Sequence, residues 1–308
     1  MRPIAASSTL PQDAAALRIG FIGAGRLGTA LAWALGQAGG RVLAVASAAE
    51  AEARALASTL PDCEALPAQS VVDTCNLVFV TTPDVLIARA TEALQWRPGM
   101  AVVHCSGVTE VAALQSAAVQ GAAIGGFHPM QTFGDPKAAL ASLPGSTITI
   151  EAADAALDAV LVQLVQRLGC RVNRLPPGMR GRYHAAAGFT TQFINALFAE
   201  ACQVWASWGA SEADALKAML PMAQGTLASI EAAGVARGMP GPVSRGDVAS
   251  VTKHVQSLSS MPVEMQAFYR VLCSSTVRIA EGAGVIDAPT ARRFGDALLA
   301  GNGESVGR

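Results

Sequence analysis

Apolar residues fall in short unbroken blocks through the first half of this chain and at helical spacing through the second. From Leu17 the text reads LRIGFIG, a block of strand length, and runs into AGRLGTALAWALGQAG, where Leu27, Leu31, Ala34 and Leu35 recur as on one helical face. RVLAVAS from Arg41 is the next buried-type strand, and an alanine-rich helical stretch follows it through Leu60. LVFVTTP from Leu77, MAVVHCSG from Met100 and GAAIGGFHP from Gly121 repeat the pattern, with helical text between them. STITIE from Ser146 and CRVNRL from Cys170 are two more strands, bracketing a helix near Asp154 to Leu168. Strands that alternate with helices in this way predict a parallel, doubly wound α/β sheet.

After PPGMRGR, from Pro176, the strand-like blocks stop and long helical patterns continue to about Leu299. The expected organisation is a tail over residues 1–16, an α/β domain over 17–178 and a mainly helical domain over 179–308. The tail reading rests on MRPIAASSTLPQDAAA, which has no continuous apolar stretch of the signal-peptide kind. Within the helical part, AGVARGMPGPVSRG is too rich in glycine and proline for a helix interior and predicts a loop from Gly234 to Gly246.

A chain of 308 residues, 51% hydrophobic, suits two domains with sizeable cores. Its formal net charge of −1 offers no electrostatic reason to expect nucleic acid or an anionic membrane as partner. No run approaches the roughly 18 apolar residues of a membrane span. The six cysteines, Cys63, Cys75, Cys105, Cys170, Cys202 and Cys273, are scattered and form no Cys-x-x-Cys pair, which fits reduced thiols in a cytoplasm. The partner to look for is a small molecule.

Gly23, Gly25 and Gly28 form G-x-G-x-x-G where the first strand meets the first helix, the context in which that pattern binds a dinucleotide. The glycines permit a tight turn, close approach of backbone to pyrophosphate, and close helix–strand packing, with the anion on free N–H groups of the helix start. Arg26 and Leu27 belong to this turn. NAD enzymes usually place a carboxylate at the end of the second strand. Here Ser47 stands there, with Glu50 further on in the helix, while Arg26 and Arg54 carry the charge to neutralise a 2′-phosphate. NADP is therefore favoured over NAD, although Arg54 also reads as an ordinary surface charge. Thr81, Thr82 and Pro83 end the LVFVTTP strand and Ser106 follows the MAVVH strand, on the carboxyl edge where such ligands bind.

Reduction of a carbonyl or imine needs a hydride and a proton donor, a role that suits histidine. His184 is the first candidate and His128, held extended before Pro129, the second. From His184, residues Gly188, Thr191 and Gln192 are expected along one helical face. Arg245, in GPVSRGD, is placed to clamp a carboxylate, next to Asp247 as a helix cap, with His254 in the following helix. Gln131 would line the nicotinamide side with Ser106. No histidine pair has the local spacing of a metal site, and none is expected.

The motifs GAGRLG, HCSG, FHPMQTF, YHAAAGF and GPVSRGD with His254, in order from Leu17, resemble the dehydrogenases related to 6-phosphogluconate and β-hydroxyacid dehydrogenases, ketopantoate reductase and pyrroline-5-carboxylate reductase. More narrowly they resemble a bacterial family of NADP oxidoreductases without a settled substrate. The resemblance implies an extended Rossmann domain, a mainly helical C-terminal domain through which homodimers form, and a cofactor between the two. Ketopantoate reductase and the β-hydroxyacid dehydrogenases use a lysine on the first helix of the second domain as proton donor; here that helix carries His184 and no lysine. Where the family pattern has an asparagine, this chain has Gln192.

These readings converge on an NADP(H)-dependent oxidoreductase. Its substrate would be a small carboxylate bearing C=O or C=N, either a ketopantoate-like 2-oxo acid or a cyclic imine. Arg245 would bind the carboxylate, His184 or His128 would supply the proton, and Gln131, Gln192, Asp247 and His254 would complete the substrate side. The missing lysine also admits a dinucleotide-binding sensor without turnover. A methyltransferase using the glycine turn fits less well, because the strands continue into an extended sheet.

Overall fold

The computed structural model of the chain describes residues 10–300, which divide into two compact units between Thr191 and Gln192. The first unit is the expected α/β domain. Its strands are β1 (Arg18–Ile22), β2 (Arg41–Ala46), β3 (Glu64–Ala65), β4 (Leu77–Val80), β5 (Ala101–His104), β6 (Ala123–Pro129), β7 (Thr147–Ala152) and β8 (Arg171–Arg174). They form one sheet in the order β3-β2-β1-β4-β5-β6-β7-β8. The connecting helices are α1 (Arg26–Gln37), α2 (Glu50–Ala57), α3 (Ala68–Thr74), α4 (Ile87–Glu92), α5 (Gln115–Ala118), α6 (Pro136–Ser142) and α7 (Ala155–Arg167), with α8 (Arg180–Phe189) after the last strand.

Alternate residues of the central strands feed two separate cores, as a sheet covered on both faces requires. Ile19, Phe21, Phe79, Val103 and Phe127 face one core with α1 and α7. Val78, Val80 and Val102 face the other with α3, α4 and α5. Phe21 stacks on Phe79 at 5.2 Å between centroids, and Phe79 meets Phe127 edge-on at 5.4 Å, so one aromatic file ties three strands together.

Four expectations need correction here. The sheet is not wholly parallel: β7 pairs antiparallel with β6 and parallel with β8. The chain returns from β6 through α6, which packs against α1, and so re-enters the sheet from the opposite end. Residues 10–16 are not a loose tail. Leu10 and Ala14 join the core beside α7, the Ala14 N–H donates to Gln163 Oε1 at 3.1 Å, and Gln163 Nε2 donates to the Gln12 carbonyl at 2.8 Å. Residues 1–9 of that expected tail lie outside the described residues. The division between units falls after Thr191 rather than after residue 178, because α8 is anchored in the first unit by the fully buried Arg180. The fourth correction belongs to the second unit.

That unit is helical: α9 (Gln192–Ala206), α10 (Glu212–Arg237), α11 (Val248–Ser257), α12 (Val263–Gly282) and α13 (Ala288–Leu299). Val251, Val255, Val277, Phe294 and Leu298 of α11, α12 and α13 make its core. Its expected loop is shorter than 234–246, since helical text runs on to Arg237 across a kink at Gly234, whose φ of 79° only glycine adopts readily. No described helix is long and apolar enough to cross a membrane.

Candidate functional site

The carboxyl edge of the first unit's sheet gathers the ends of β1, β4, β5 and β6, since Ile22 pairs with Val80, Val80 with His104 and His104 with Gly126. At the end of β1 the glycine turn takes the expected shape. A Cβ at Gly23 would collide with the Thr81 backbone, and one at Gly28 with the Gly23 carbonyl, so both glycines are demanded by the turn itself. Gly25 is different. Its φ of −70° is ordinary and nothing lies within 4 Å of where its Cβ would stand.

Gly25 is also the N-cap of α1, and no side chain caps that helix, so its first N–H groups have no side-chain partner. Thr81 Oγ1 donates to the Gly23 carbonyl at 2.7 Å and holds the turn against β4. Thr82 Oγ1 is buried without a partner, and Pro83 follows it, exposed. These features fit a dinucleotide: a cradle open at the one glycine that packing does not explain, bare helix N–H groups, and an orphaned hydroxyl beside them.

Towards the ribose end, Ser47 Oγ accepts from the Ala49 N–H at 3.3 Å and lies 3.5 Å from Glu52 Oε2. Arg54 is paired with Glu50 at 2.9 Å on the surface, as an ordinary surface charge is. Arg26 is exposed, with only a long contact of 3.5 Å to the Gly134 carbonyl. Leu27 packs against the core.

Beyond β5 and β6 the structure brings His104, His128 and His184 together with α8. Gly107 is the contact point: a Cβ there would stand 2.8 Å from His128 Nε2 and 2.7 Å from His184 Cδ2. The two imidazole centroids are 6.5 Å apart. Tyr183 Oη meets His128 Nδ1 at 2.7 Å. Under them lies Arg180, wholly buried, whose Nε donates to Glu151 Oε2 at 2.8 Å and whose Nη1 donates to the Ser106 carbonyl at 2.7 Å.

Burial, and then the Arg180 cation, hold the His128 imidazole down to about 4. The same two causes hold His104 down to about 3, and its Nδ1 accepts from the Ser106 N–H at 3.3 Å. Both rings are therefore neutral near pH 7, and His128 does not act as the ready imidazolium that a histidine's ordinary pKa suggests.

Sequence reasoning missed Arg180, Glu151, Tyr183 and Gly107. Arg180 sits in PPGMRGR, read there as a boundary, and only its burial in the fold separates it from a surface arginine. Ser106 and Gln131 are engaged locally. Ser106 Oγ accepts from the Val108 and Thr109 N–H groups, and the Gln131 amide bonds the Ser142 carbonyl and the Thr132 N–H.

The stripe of His184, Gly188, Thr191 and Gln192 does not form. Thr190 caps α8, and Gln192 opens a new helix, leaving only His184 and Gly188 on one helix. In the second unit Asp247 caps α11 through the Ser250 N–H at 3.1 Å. Arg245 is exposed at the end of a short turn, and His254 Nδ1 lies 2.8 Å from Tyr269 Oη.

Residues 2–129 match the family model of a Rossmann-like domain, and residues 146–276 match that of a domain of unknown function, DUF2520. A solved structure of a candidate NADP oxidoreductase from Bacteroides fragilis is 26% identical, with 87% of this chain and all of that one covered at a TM-score of 0.66. A protein from Thermotoga maritima is 21% identical over 86% of this chain and 99% of its own, at a TM-score of 0.71. The fold is also shared by the Plasmodium falciparum pyrroline carboxylate reductase, solved with NADP bound, which is 11% identical over 92% of this chain and all of its own, at a TM-score of 0.57. No curated protein matches the chain by sequence.

Proposed function

We propose that the protein is an NADP(H)-dependent oxidoreductase that reduces the C=O or C=N group of a small carboxylate-bearing compound. The observation that carries this reading is the open cradle at Gly25 on the same sheet edge as the His128–His184 pair. A bound NADPH would supply the hydride. Gly23, Gly25, Leu27 and Gly28 would frame the pyrophosphate on the start of α1, with Thr81, Thr82, Pro83 and Ser106 along the edge and Ser47 at the ribose. Arg26, exposed and nearly unpaired, would take the 2′-phosphate. His184 is exposed and would deliver the proton, while the neutral His128 beside it would orient the reacting group.

The solved relatives support the cofactor: the Plasmodium enzyme holds NADP, and the Bacteroides protein carries the name of an NADP oxidoreductase. Arg245 keeps the proposed role of carboxylate clamp, with Gln131, Gln192, Asp247 and His254 as substrate-side residues. The free cysteines fit a cytoplasmic location.

The test is fluorescence titration with NADPH and NADH, with Arg26→Ala alongside. Loss of a charge-assisted contact to the 2′-phosphate is expected to weaken NADPH by about tenfold or more and leave NADH nearly unchanged. Binding of neither nucleotide would overturn the reading. With a turnover assay in hand, His184→Gln should keep NADPH affinity and lose turnover, and Arg245→Ala should raise KM for the carboxylate substrate.

A further inference from the structure

A row of polar side chains crosses three strands behind His128. In the β6–β7 pairing His128 stands opposite Thr149, and in the β7–β8 pairing Thr149 stands opposite Asn173, so the three residues share one level and one face of the sheet. Asn173 Nδ2 donates to Thr149 Oγ1 at 3.0 Å. Thr149 is fully buried, and its hydroxyl acts on the Tyr183 phenol, holding it down against the upward pull of burial. Tyr183 Oη in turn lies 2.7 Å from His128 Nδ1, with the two rings edge to face.

The direction of this chain follows from the inventory of donors. The Asn173 amide nitrogen can only donate, so Thr149 Oγ1 accepts there and has its own proton free for Tyr183. Tyr183 Oη, having accepted, has its proton free for His128 Nδ1. A neutral imidazole that accepts at Nδ1 carries its one proton on Nε2. That nitrogen stands against Gly107, beside His184.

We infer that Tyr183 is a positioning residue that fixes His128 as the Nε2–H tautomer, so that a neutral N–H donor is presented at Gly107. The relay is one-way: Asn173 to Thr149 to Tyr183 to His128. The catalytic consequence rests on the reductase reading. A neutral N–H donates to an atom with a free lone pair and gives nothing to a cation that lacks one. It therefore matches a carbonyl oxygen, which gathers negative charge as hydride arrives, and not a protonated iminium. Of the two substrate classes, the 2-oxo acid offers this donor a lone pair in every protonation state, whereas a cyclic imine does so only while unprotonated.

The assignment can be tested without substrate or cofactor. Long-range 1H–15N correlation spectra of uniformly labelled protein at pH 7, with the His128 signals identified by their absence in His128→Gln, report which ring nitrogen carries the proton. The wild type is expected to show a protonated Nε2 and a bare, accepting Nδ1. Tyr183→Phe should give a mixture of tautomers, and Thr149→Val should move the spectrum the same way if Tyr183→Phe folds poorly. A wild-type His128 protonated at Nδ1, or charged, would overturn the inference, as would an unchanged pattern in a folded Tyr183→Phe protein. These outcomes are independent of NADPH binding, so failure here leaves the proposed activity standing, and failure of the titration leaves the tautomer standing. Once NADPH is bound and turned over, 2-oxo acids should outpace cyclic iminium substrates, with Tyr183→Phe lowering kcat more than it changes KM; the reverse preference would overturn the substrate assignment.

Discussion

A methyl group at Gly126 would run into the Arg180 guanidinium, and one at Gly107 would press on both His128 and His184. These two glycines therefore hold room for side chains, and their substitution should separate two effects. Gly126→Ala is expected to destabilise the fold, because Arg180 has nowhere else to go. Gly107→Ala should fold and bind NADPH, yet turn over about 10²-fold more slowly, since a displacement approaching 1 Å of reacting groups costs that much. Parallel thermal melts, titrations and kcat measurements of the two variants check this. The histidines add a pH dependence. Both His104 and His128 are held below their unfolded value of 6.5, so the unfolded chain binds more protons and stability rises with pH. Their contribution is fully present above about pH 6.5 and is lost as pH falls towards 4, on the order of 3 kcal/mol for His128 alone. Denaturant unfolding from pH 7 to pH 4 should show a shallower slope in His128→Gln.

At the scale of elements, α8 is the piece that turns a sheet edge into a site. It is tied to the loop after β5 by the Arg180 bond to the Ser106 carbonyl, and to β6 by Tyr183. The preceding loop is held by the Gly178 N–H on Glu110 Oε2 at 3.2 Å. Arg180 and Glu151 form a nearly dry ion pair, with side-chain exposures of 0% and 11%. Removing one partner of such a pair strands the other charge, and costs about 3–5 kcal/mol. Arg180→Met should lower stability by that amount in urea titrations, whereas Arg54→Ala, at an exposed pair, should change it by less than about 1 kcal/mol. Equal effects of the two would mean that α8 is not anchored through Arg180.

For the molecule as a whole, the helical unit carries a group of exposed apolar side chains of the kind that marks an interaction surface. None of α9 is buried, and Leu197, Trp208, Leu220, Met222 and Leu227 of α9, α10 and their link are all exposed, at 41% to 69%. Beside them a cavity of about 420 Å³ opens among Leu197, Val204, Trp205, Leu258, Phe268 and Leu272. A second copy of the chain is proposed to cover this face. Sedimentation should give twice the chain mass, reduced to one chain mass by Met222→Glu with Leu227→Glu; a wild-type monomer would remove the proposal.

The sequence alone determined what depends on neighbours along the chain. The period of apolar residues set strand against helix, and the spacing of Gly23, Gly25 and Gly28 set the turn and the bare start of α1, because a tight turn is a local backbone matter. Asp247 was legible as a cap for the same reason. Tertiary structure decided whatever depends on distant partners. It paired β7 against β6 in the opposite sense, ended α8 before Thr191, and buried Arg180, which no local pattern distinguishes from the exposed Arg182 two residues on. It also set Tyr183, Thr149 and Asn173 in line behind His128. Strand register and side-chain burial place residues from far along the chain within hydrogen-bond reach, and burial beside a cation then settles which of them carry charge.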